Sequence, residues 1–128
     1  MNIPDDLKYT ATHEWIRHTA EGVAVGISDY AQSELTDIVF VELPETGRAL
    51  NPGEEICALE SVKAVAYVYA PVAGTIAAVN ERLTKEPELI NQDPYGEGWI
   101  IRIAPADPEK TVDLLEASAY RQRLESEG

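Results

Sequence analysis

The chain has 128 residues, 45% of them hydrophobic and 26% charged, a composition that is typical of a globular protein and excludes a wholly disordered one. The formal charge of −13 excludes nucleic acid as a partner, because phosphate backbones would be repelled. A single cysteine excludes a disulfide framework. The length suits one domain, residues 1–128, with an apolar core large enough to be stable without disulfides.

The N-terminal segment shows no targeting signal. Residues 1–6 carry neither the basic region of a secretory signal nor an Arg-rich amphipathic pattern. No apolar run approaches the ~20 residues that cross a bilayer, so we expect no membrane association. The expected location is a bacterial-like cytoplasm, with a processed mitochondrial form as the open alternative.

Seven β-prone segments separated by turn residues predict a mainly β fold. After the second segment, Ser28 as a cap and Asp29 in the first turn predict a short helix near residues 28–35. Residues 81–92 predict a loop with a helical turn. The predicted strands are residues 7–17 (as one strand or two), 23–27, 37–43, 55–59, 65–70, 75–80 and 99–103.

Beyond the last strand the hydrophobic period changes and predicts helices at the C-terminus. Pro108 behind Asp107 predicts a helix start, with an apolar face in residues 112–115. Ser118 predicts the cap of a last helix that runs through Glu125. We expect the strands to form one barrel-like sandwich with the helices packed on its ends.

The chain contains one weak internal echo. Pro44 and Gly47 enclose two residues after the third strand, and Pro71 and Gly74 repeat this arrangement 27 positions later. Two related halves that face each other across a sandwich would produce this spacing.

The stretch around Lys63 is the strongest candidate for chemistry. Lys63 falls between two apolar strands of nearly equal length, where a hairpin would turn. Most lone lysines only add solubility. A lysine on a hairpin tip, however, presents a long amine that another protein can reach, and the sequence therefore predicts a covalent attachment point.

Other constellations predict no catalysis by the chain itself. His13 and His18 lie five apart in a predicted strand, which places them on opposite faces, with no further metal ligand nearby. Cys57 lies in an apolar run and is expected to be a buried hydrophobe. Glu14, between His13 and Trp15, is the one carboxylate whose partial burial would make it a positioned acceptor.

Five blocks of the sequence closely resemble the H protein family of the glycine cleavage system, which are lipoyl carriers. The resemblance covers nearly the whole chain in the family's order. It implies a lipoyl-type barrel-sandwich hybrid of two small antiparallel sheets. The blocks are residues 12–15 (THEW), 26–32 (GISDYAQ), 37–44 (DIVFVELP), 60–64 (ESVKA) and 94–99 (PYGEGW).

The resemblance assigns roles to particular residues. Lys63 would carry lipoate in amide linkage, and Glu14 would lie in a cleft where it holds the amine of the loaded arm. The chain would be a covalent carrier and not itself an enzyme. The residues implied in recognition around the attachment point are Glu60, Ser61, Val62 and Ala64.

The resemblance also implies the partners. The arm would receive an aminomethyl group after a pyridoxal-phosphate glycine decarboxylase acts, pass it to a tetrahydrofolate-dependent aminomethyltransferase, and be reoxidised by a flavin-dependent dihydrolipoamide dehydrogenase. A lipoylating enzyme would attach the arm. The acidic charge favours basic partner surfaces and a monomeric chain.

Some positions depart from the family pattern, and alternatives follow. Ala66 and Tyr67 replace a small hydroxyl and an acidic residue, and Thr36 stands where glycine is frequent. Biotin carriage is disfavoured, because biotinyl domains place methionine on both sides of the lysine, where Val62 and Ala64 stand here. An H-like relay that donates lipoate to 2-oxoacid dehydrogenases and a plain interaction module remain the alternatives.

Overall fold

A computed structural model describes residues 1–107 and 109–127, the last of these by its backbone alone. These residues form two antiparallel sheets with short helices at their margins, which confirms the predicted mainly β fold and its two sheets. The strands are β1 (Lys8–Tyr9), β2 (Glu14–Thr19), β3 (Gly22–Ile27), β4 (Ile38–Glu42), β5 (Ala49–Leu50), β6 (Glu55–Ser61), β7 (Val65–Tyr69), β8 (Gly74–Val79), β9 (Ile101–Pro105) and β10 (Leu115–Glu116). The helices are α1 (Asp29–Leu35), α2 (Leu89–Gln92) and α3 (Ala117–Glu127), with a 3-10 turn at Glu81–Thr84.

The two sheets share one apolar core. The larger sheet has the order β10-β1-β2-β3-β9-β8-β5, and the smaller one has the order β4-β6-β7. Because side chains alternate along each strand, one face of each sheet can be apolar and meet the other. Buried residues that meet between the sheets include Val25, Ile76 and Ile103 from the larger sheet and Val41, Leu59 and Val68 from the smaller one.

The sequence echo marks two equivalent crossings between the sheets. The turn at Pro44 connects β4 to β5, and the turn at Pro71 connects β7 to β8, each leading from the smaller sheet to the larger one. The two arriving strands pair with each other, with Leu50 opposite Gly74. A Cβ at Gly74 would lie 2.3 Å from the carbonyl oxygen of Ala104, so only glycine fits at this crossing.

Helix α1 begins as predicted and ends in an unusual conformation. The Ser28 hydroxyl caps it by accepting from the Ala31 N–H at 3.3 Å. Thr36 follows the helix with φ 62, in the left-handed region that favours glycine. This conformation explains physically why glycine would suit the position where threonine stands.

The prediction of a helix starting at Pro108 is wrong for residues 109–115, which form no helix. Pro108 itself lies outside the described residues. Thr111 instead bridges Val72, and Leu115 opens β10, which pairs with β1. Sheet pairing here overrides the local helical signal. Ser118 lies inside α3, which starts one residue earlier at Ala117, so its predicted capping role is also wrong. None of the described helices is long and apolar enough to span a membrane.

Candidate functional site

The candidate attachment point lies on a tightly held turn between β6 and β7. The Ser61 hydroxyl accepts from the backbone N–H groups of Lys63 at 3.1 Å and Ala64 at 2.9 Å. The Ser61 N–H donates to the carbonyl of Ala64 at 2.8 Å, and the Val62 N–H donates to that of Asp37 at 3.0 Å. The tip is therefore fixed by its own backbone and by the chain entering β4.

The side chain of Lys63 is exposed and chemically accessible. Its Nζ donates to the backbone carbonyl of Glu34, the next-to-last residue of α1, at 3.2 Å. Among the described residues, Lys63 makes no ion pair with a carboxylate. An amine with only one neutral acceptor can be acylated without breaking a salt bridge.

Beneath the tip lies a cavity of about 300 Å³, which we name the tip cavity. Its walls come from α1, from the loop before β2, and from β7, the edge strand of the smaller sheet. Ala66 and Tyr67, where the sequence departs from the family pattern, both line it. The lining residues are Thr12, His13, Ile27, Tyr30, Ala31, Glu34, Leu35, Leu59, Ala66 and Tyr67.

Glu14 is almost completely buried and accepts three hydrogen bonds. It is 1% exposed. One carboxylate oxygen accepts from the hydroxyls of Thr10 and Thr12, both at 2.5 Å. The other oxygen accepts from the Tyr69 N–H, on the unpaired edge of β7, at 3.2 Å. Glu14 thus faces the same strand edge that lines the tip cavity.

A second cavity, of about 400 Å³, lies at Glu14, and we name it the Glu14 cavity. Thr12 lines both cavities, so the two adjoin. Lys63 is bonded to Glu34, which lines the tip cavity, and Thr12, which lines both cavities, donates to Glu14. We call the two adjoining cavities the cleft, and the two predicted site residues lie at its opposite ends.

The electrostatics of Glu14 favour a cationic guest. Burial raises the pKa of Glu14, and the hydrogen bonds from Thr10, Thr12 and Tyr69 only partly offset this effect. Within the described part of the chain no basic side chain pairs with Glu14. A buried carboxyl without a counter-ion gains free energy when a cation arrives beside it.

Exposed apolar residues concentrate on the outer face of the smaller sheet. Phe40 lies opposite Glu60, which lies opposite Val65, so these three form one row across the sheet. A shift in register between Ile38 and Phe40 leaves Val39 exposed as well. Of the large apolar side chains exposed in the described residues, Met1 lies elsewhere and Val62 lies on the tip turn; the others are Val39, Phe40, Val65 and Tyr67.

Of the other candidate groups, only His13 takes part in this cleft, because it lines the tip cavity. His13 precedes β2 and has φ 74, so the prediction that it lies in a strand, on the face opposite to His18, is wrong. Burial raises the pKa of Cys57 to about 12, which leaves an unreactive thiol. No cluster of metal-ligating side chains occurs in residues 1–107 and 109–126.

Sequence reasoning missed several residues that build the cleft. Thr10, Thr12 and Glu14 follow one another at intervals of two residues, a pattern that could have indicated hydroxyl donors on the same side. Glu34 contributes only its backbone carbonyl, and Tyr69 only its N–H. Backbone groups carry no side-chain signal, so the sequence could not have identified these two.

Comparisons with known proteins agree with one another. A family model described as Glycine cleavage H-protein matches residues 7–127. The glycine cleavage system H protein of Thermus thermophilus is 54% identical over 127 residues, 99% of each chain. The probable glycine cleavage system H protein of Haloarcula marismortui is 51% identical over 125 residues, 98% of each chain. The crystal structure of a glycine cleavage system H protein from Mycobacterium marinum matches with a TM-score of 0.87 and 40% identity, covering 96% of this chain and 99% of that one.

Proposed function

The chain belongs to the glycine cleavage H-protein family, and we propose that it is the lipoyl carrier of the glycine cleavage system, with lipoate attached to Lys63. The observation that carries the proposal is the placement of Lys63. Its amine is exposed on a fixed tip and makes no ion pair within the described residues, and it lies at the mouth of a cleft that ends at a buried carboxyl.

The residues around Lys63 fit an acyl arm. Lipoate, when bound, supplies a disulfide that is reduced as one of its sulfurs takes up the aminomethyl group of glycine. The fixed turn holds Lys63 outward for a lipoylating enzyme, with Ser61 ordering the backbone of the tip. The apolar side chains of Ile27, Leu35 and Leu59 in the tip cavity suit a hydrocarbon chain that folds back against the protein.

Glu14 completes the proposal as the acceptor for the amine of the cargo. An ammonium group beside Glu14 would offset the cost of keeping a carboxylate buried. The hydroxyls of Thr10 and Thr12 hold the carboxylate in place at the junction of the two cavities. Enclosure there removes water from the cargo, which protects it during transfer.

The surface around Lys63 suits several successive partners. These are a pyridoxal-phosphate glycine decarboxylase, a tetrahydrofolate-dependent aminomethyltransferase, a flavin-dependent dihydrolipoamide dehydrogenase and the lipoylating enzyme. An exposed apolar row that includes Phe40 and Val65 beside Glu60 provides contact area next to Lys63. The charge of −13 speeds encounters with basic partner surfaces.

The alternatives are less well supported. The relatives reported above are named for glycine cleavage, so a relay that only donates lipoate to 2-oxoacid dehydrogenases is not favoured. Biotin carriage is disfavoured by Val62 and Ala64, which flank Lys63 where biotinyl domains place methionine.

The direct test substitutes the proposed attachment residue. Lys63→Arg keeps the charge but cannot form the amide, so we expect a folded protein without lipoate and without activity in reconstituted glycine decarboxylation. Lys85→Arg, at another exposed lysine, is the matched control and should behave as wild type. Lipoylation or full carrier activity in Lys63→Arg would refute the proposal.

A further inference from the structure

A buried hydrogen-bond network joins the C-terminal helix to two walls of the tip cavity. Tyr120 of α3 is 0% exposed, and its hydroxyl lies 2.8 Å from His13 Nδ1 and 2.7 Å from Ser28 Oγ. The Ser28 hydroxyl also accepts from the Ala31 N–H at 3.3 Å, so it bonds Tyr120 and the first turn of α1 at once. A single hydroxyl therefore contacts both the loop before β2 and the start of α1.

Helix α1 depends on contacts at its ends for its position. It has seven residues, none of them fully buried, and only Ala31 and Leu35 pack against the core, so hydrogen bonds at its two ends complete its support. Its last turn is held by Asn91, whose amide donates to the Gln32 side chain at 3.0 Å and to the Thr36 carbonyl at 2.7 Å. Its first turn is held by Ser28, which the Tyr120 hydroxyl supports.

The loop residue His13 also needs outside support. Its φ of 74 lies in the left-handed region, which residues other than glycine rarely adopt unless surrounding contacts impose it. Its carbonyl accepts from the Ser28 N–H at 2.9 Å, and its ring lies 4.9 Å from that of Tyr30. Both His13 and Tyr30 line the tip cavity. The network therefore sets the distance between the loop wall and the helix wall.

We propose that Tyr120 is a positioning residue of the carrier: its hydroxyl holds the His13 loop and α1 together, and so controls how well the tip cavity encloses cargo on the Lys63 arm. The inference rests on the proposed function for its consequence in transfer. The carbonyl of Glu34 in α1 accepts a hydrogen bond from Lys63 Nζ. A chain of hydrogen bonds and one short helix therefore connects Tyr120 to the attachment tip. Tyr120 touches no reacting atom and acts only through these walls.

The experiment compares Tyr120→Phe with Tyr9→Phe. The two rings stack on each other with centroids 4.5 Å apart, and both are fully buried. The Tyr9 hydroxyl donates to the Pro4 carbonyl at 2.7 Å and does not line the tip cavity. Each variant removes one buried hydroxyl from the same aromatic pair, so both should lower the Tm similarly. Only Tyr120→Phe removes support from the cavity walls.

Two readouts decide the proposal. On the full chain without lipoate, amide hydrogen exchange in residues 29–36 should rise in Tyr120→Phe about threefold to tenfold over Tyr9→Phe, as loss of one hydrogen bond allows. On loaded protein without the aminomethyltransferase, hydrolysis of the cargo breaks the carbon–sulfur bond and yields the thiol, formaldehyde and ammonium. Formaldehyde release should be faster in Tyr120→Phe by a similar factor and unchanged in Tyr9→Phe.

The outcomes separate this inference from the proposed function. Equal exchange in the two variants, or faster exchange without faster formaldehyde release, would overturn the role of Tyr120. Failure of the wild-type chain to accept lipoate at Lys63 would refute the proposed function and, with it, the role in transfer. The exchange comparison would still decide whether the hydroxyl holds the walls.

Discussion

The replacement of Glu14 by glutamine tests whether the buried carboxylate holds the cargo. Glu14→Gln keeps the shape and the acceptor oxygen for Thr10 and Thr12, which lie 2.5 Å away, but it removes the charge and the acceptor for the Tyr69 N–H. Glu14 is 1% exposed and makes no ion pair among the described residues. Neither water nor another charged side chain can therefore take over its interaction with the ammonium group of the cargo. We expect normal lipoylation of Lys63 and weaker retention of the cargo.

The magnitude follows from the type of hydrogen bond that is lost. A hydrogen bond to a charged group contributes about 1.5–3 kcal/mol, whereas a neutral one contributes about 0.5–1.5 kcal/mol. The difference of about 1–1.5 kcal/mol corresponds to roughly a tenfold faster loss of the cargo to water. Burial of Glu14 leaves no reason to discount this difference for solvent screening.

The assay loads wild type and variant with glycine and the decarboxylase, removes the enzyme, and follows formaldehyde release over time. Glu45→Gln is the matched control, because it makes the same charge change at an exposed position beyond the end of β4. We expect wild-type release from Glu45→Gln. An unchanged lifetime of the cargo in fully lipoylated Glu14→Gln would refute the role assigned to this carboxylate.

Three further predictions concern pH, the tip and the outer face. Because burial raises the pKa of Glu14, the folded chain binds its proton more readily than the unfolded chain, and this contribution to stability is complete below the unfolded pKa and lost as pH rises through the folded one. Acidification should therefore increase the free energy of unfolding of wild type relative to Glu14→Gln, as denaturant titrations across pH would measure; a flat or opposite difference would contradict this. Ser61→Ala removes the acceptor for two tip N–H groups, and a loss of about 1 kcal/mol predicts roughly fivefold slower lipoylation by mass spectrometry, with an unchanged rate as the refuting result. Phe40→Ser should leave the Tm nearly unchanged and raise the KM of glycine decarboxylase for the carrier, and an unaltered KM would count against the outer face as a contact surface.

Local signals predicted the elements whose causes are local. The Ser28 cap specified the start of α1, and the apolar runs on both sides of Lys63 specified the hairpin. The echo at Pro44 and Pro71 indicated related halves, and the structure shows both turns connecting the smaller sheet to the larger one. In each case a short segment contains the residues that determine its own conformation.

Long-range contacts explain what the sequence did not predict. The segment after Pro108 has a helical pattern, yet Thr111 pairs with Val72 and Leu115 pairs with Tyr9, more than a hundred residues away in the latter case. The two-residue strand β5 is too short to show alternation, and it exists because β8 pairs with it. Helical propensity is weak compared with such pairing.

In the candidate site, too, some residues have a local sequence signal and others are brought in only by long-range contacts. Sequence reasoning named Lys63 and Glu14, and these assignments stay predictions until they are tested. The cleft between them depends on residues brought together only by the fold, such as Glu34, which bonds Lys63, and Tyr120, which bonds His13. Neither has a sequence motif, because one acts through its backbone and the other from a distant helix.

Whether Lys63 carries lipoate is decided by the intact mass of the protein from its native host together with peptide mapping of residue 63. We expect one lipoyl group per chain, found on the peptide that contains Lys63 and absent from Lys63→Arg. An unmodified Lys63, a biotinyl group there, or lipoate on a different lysine would contradict it.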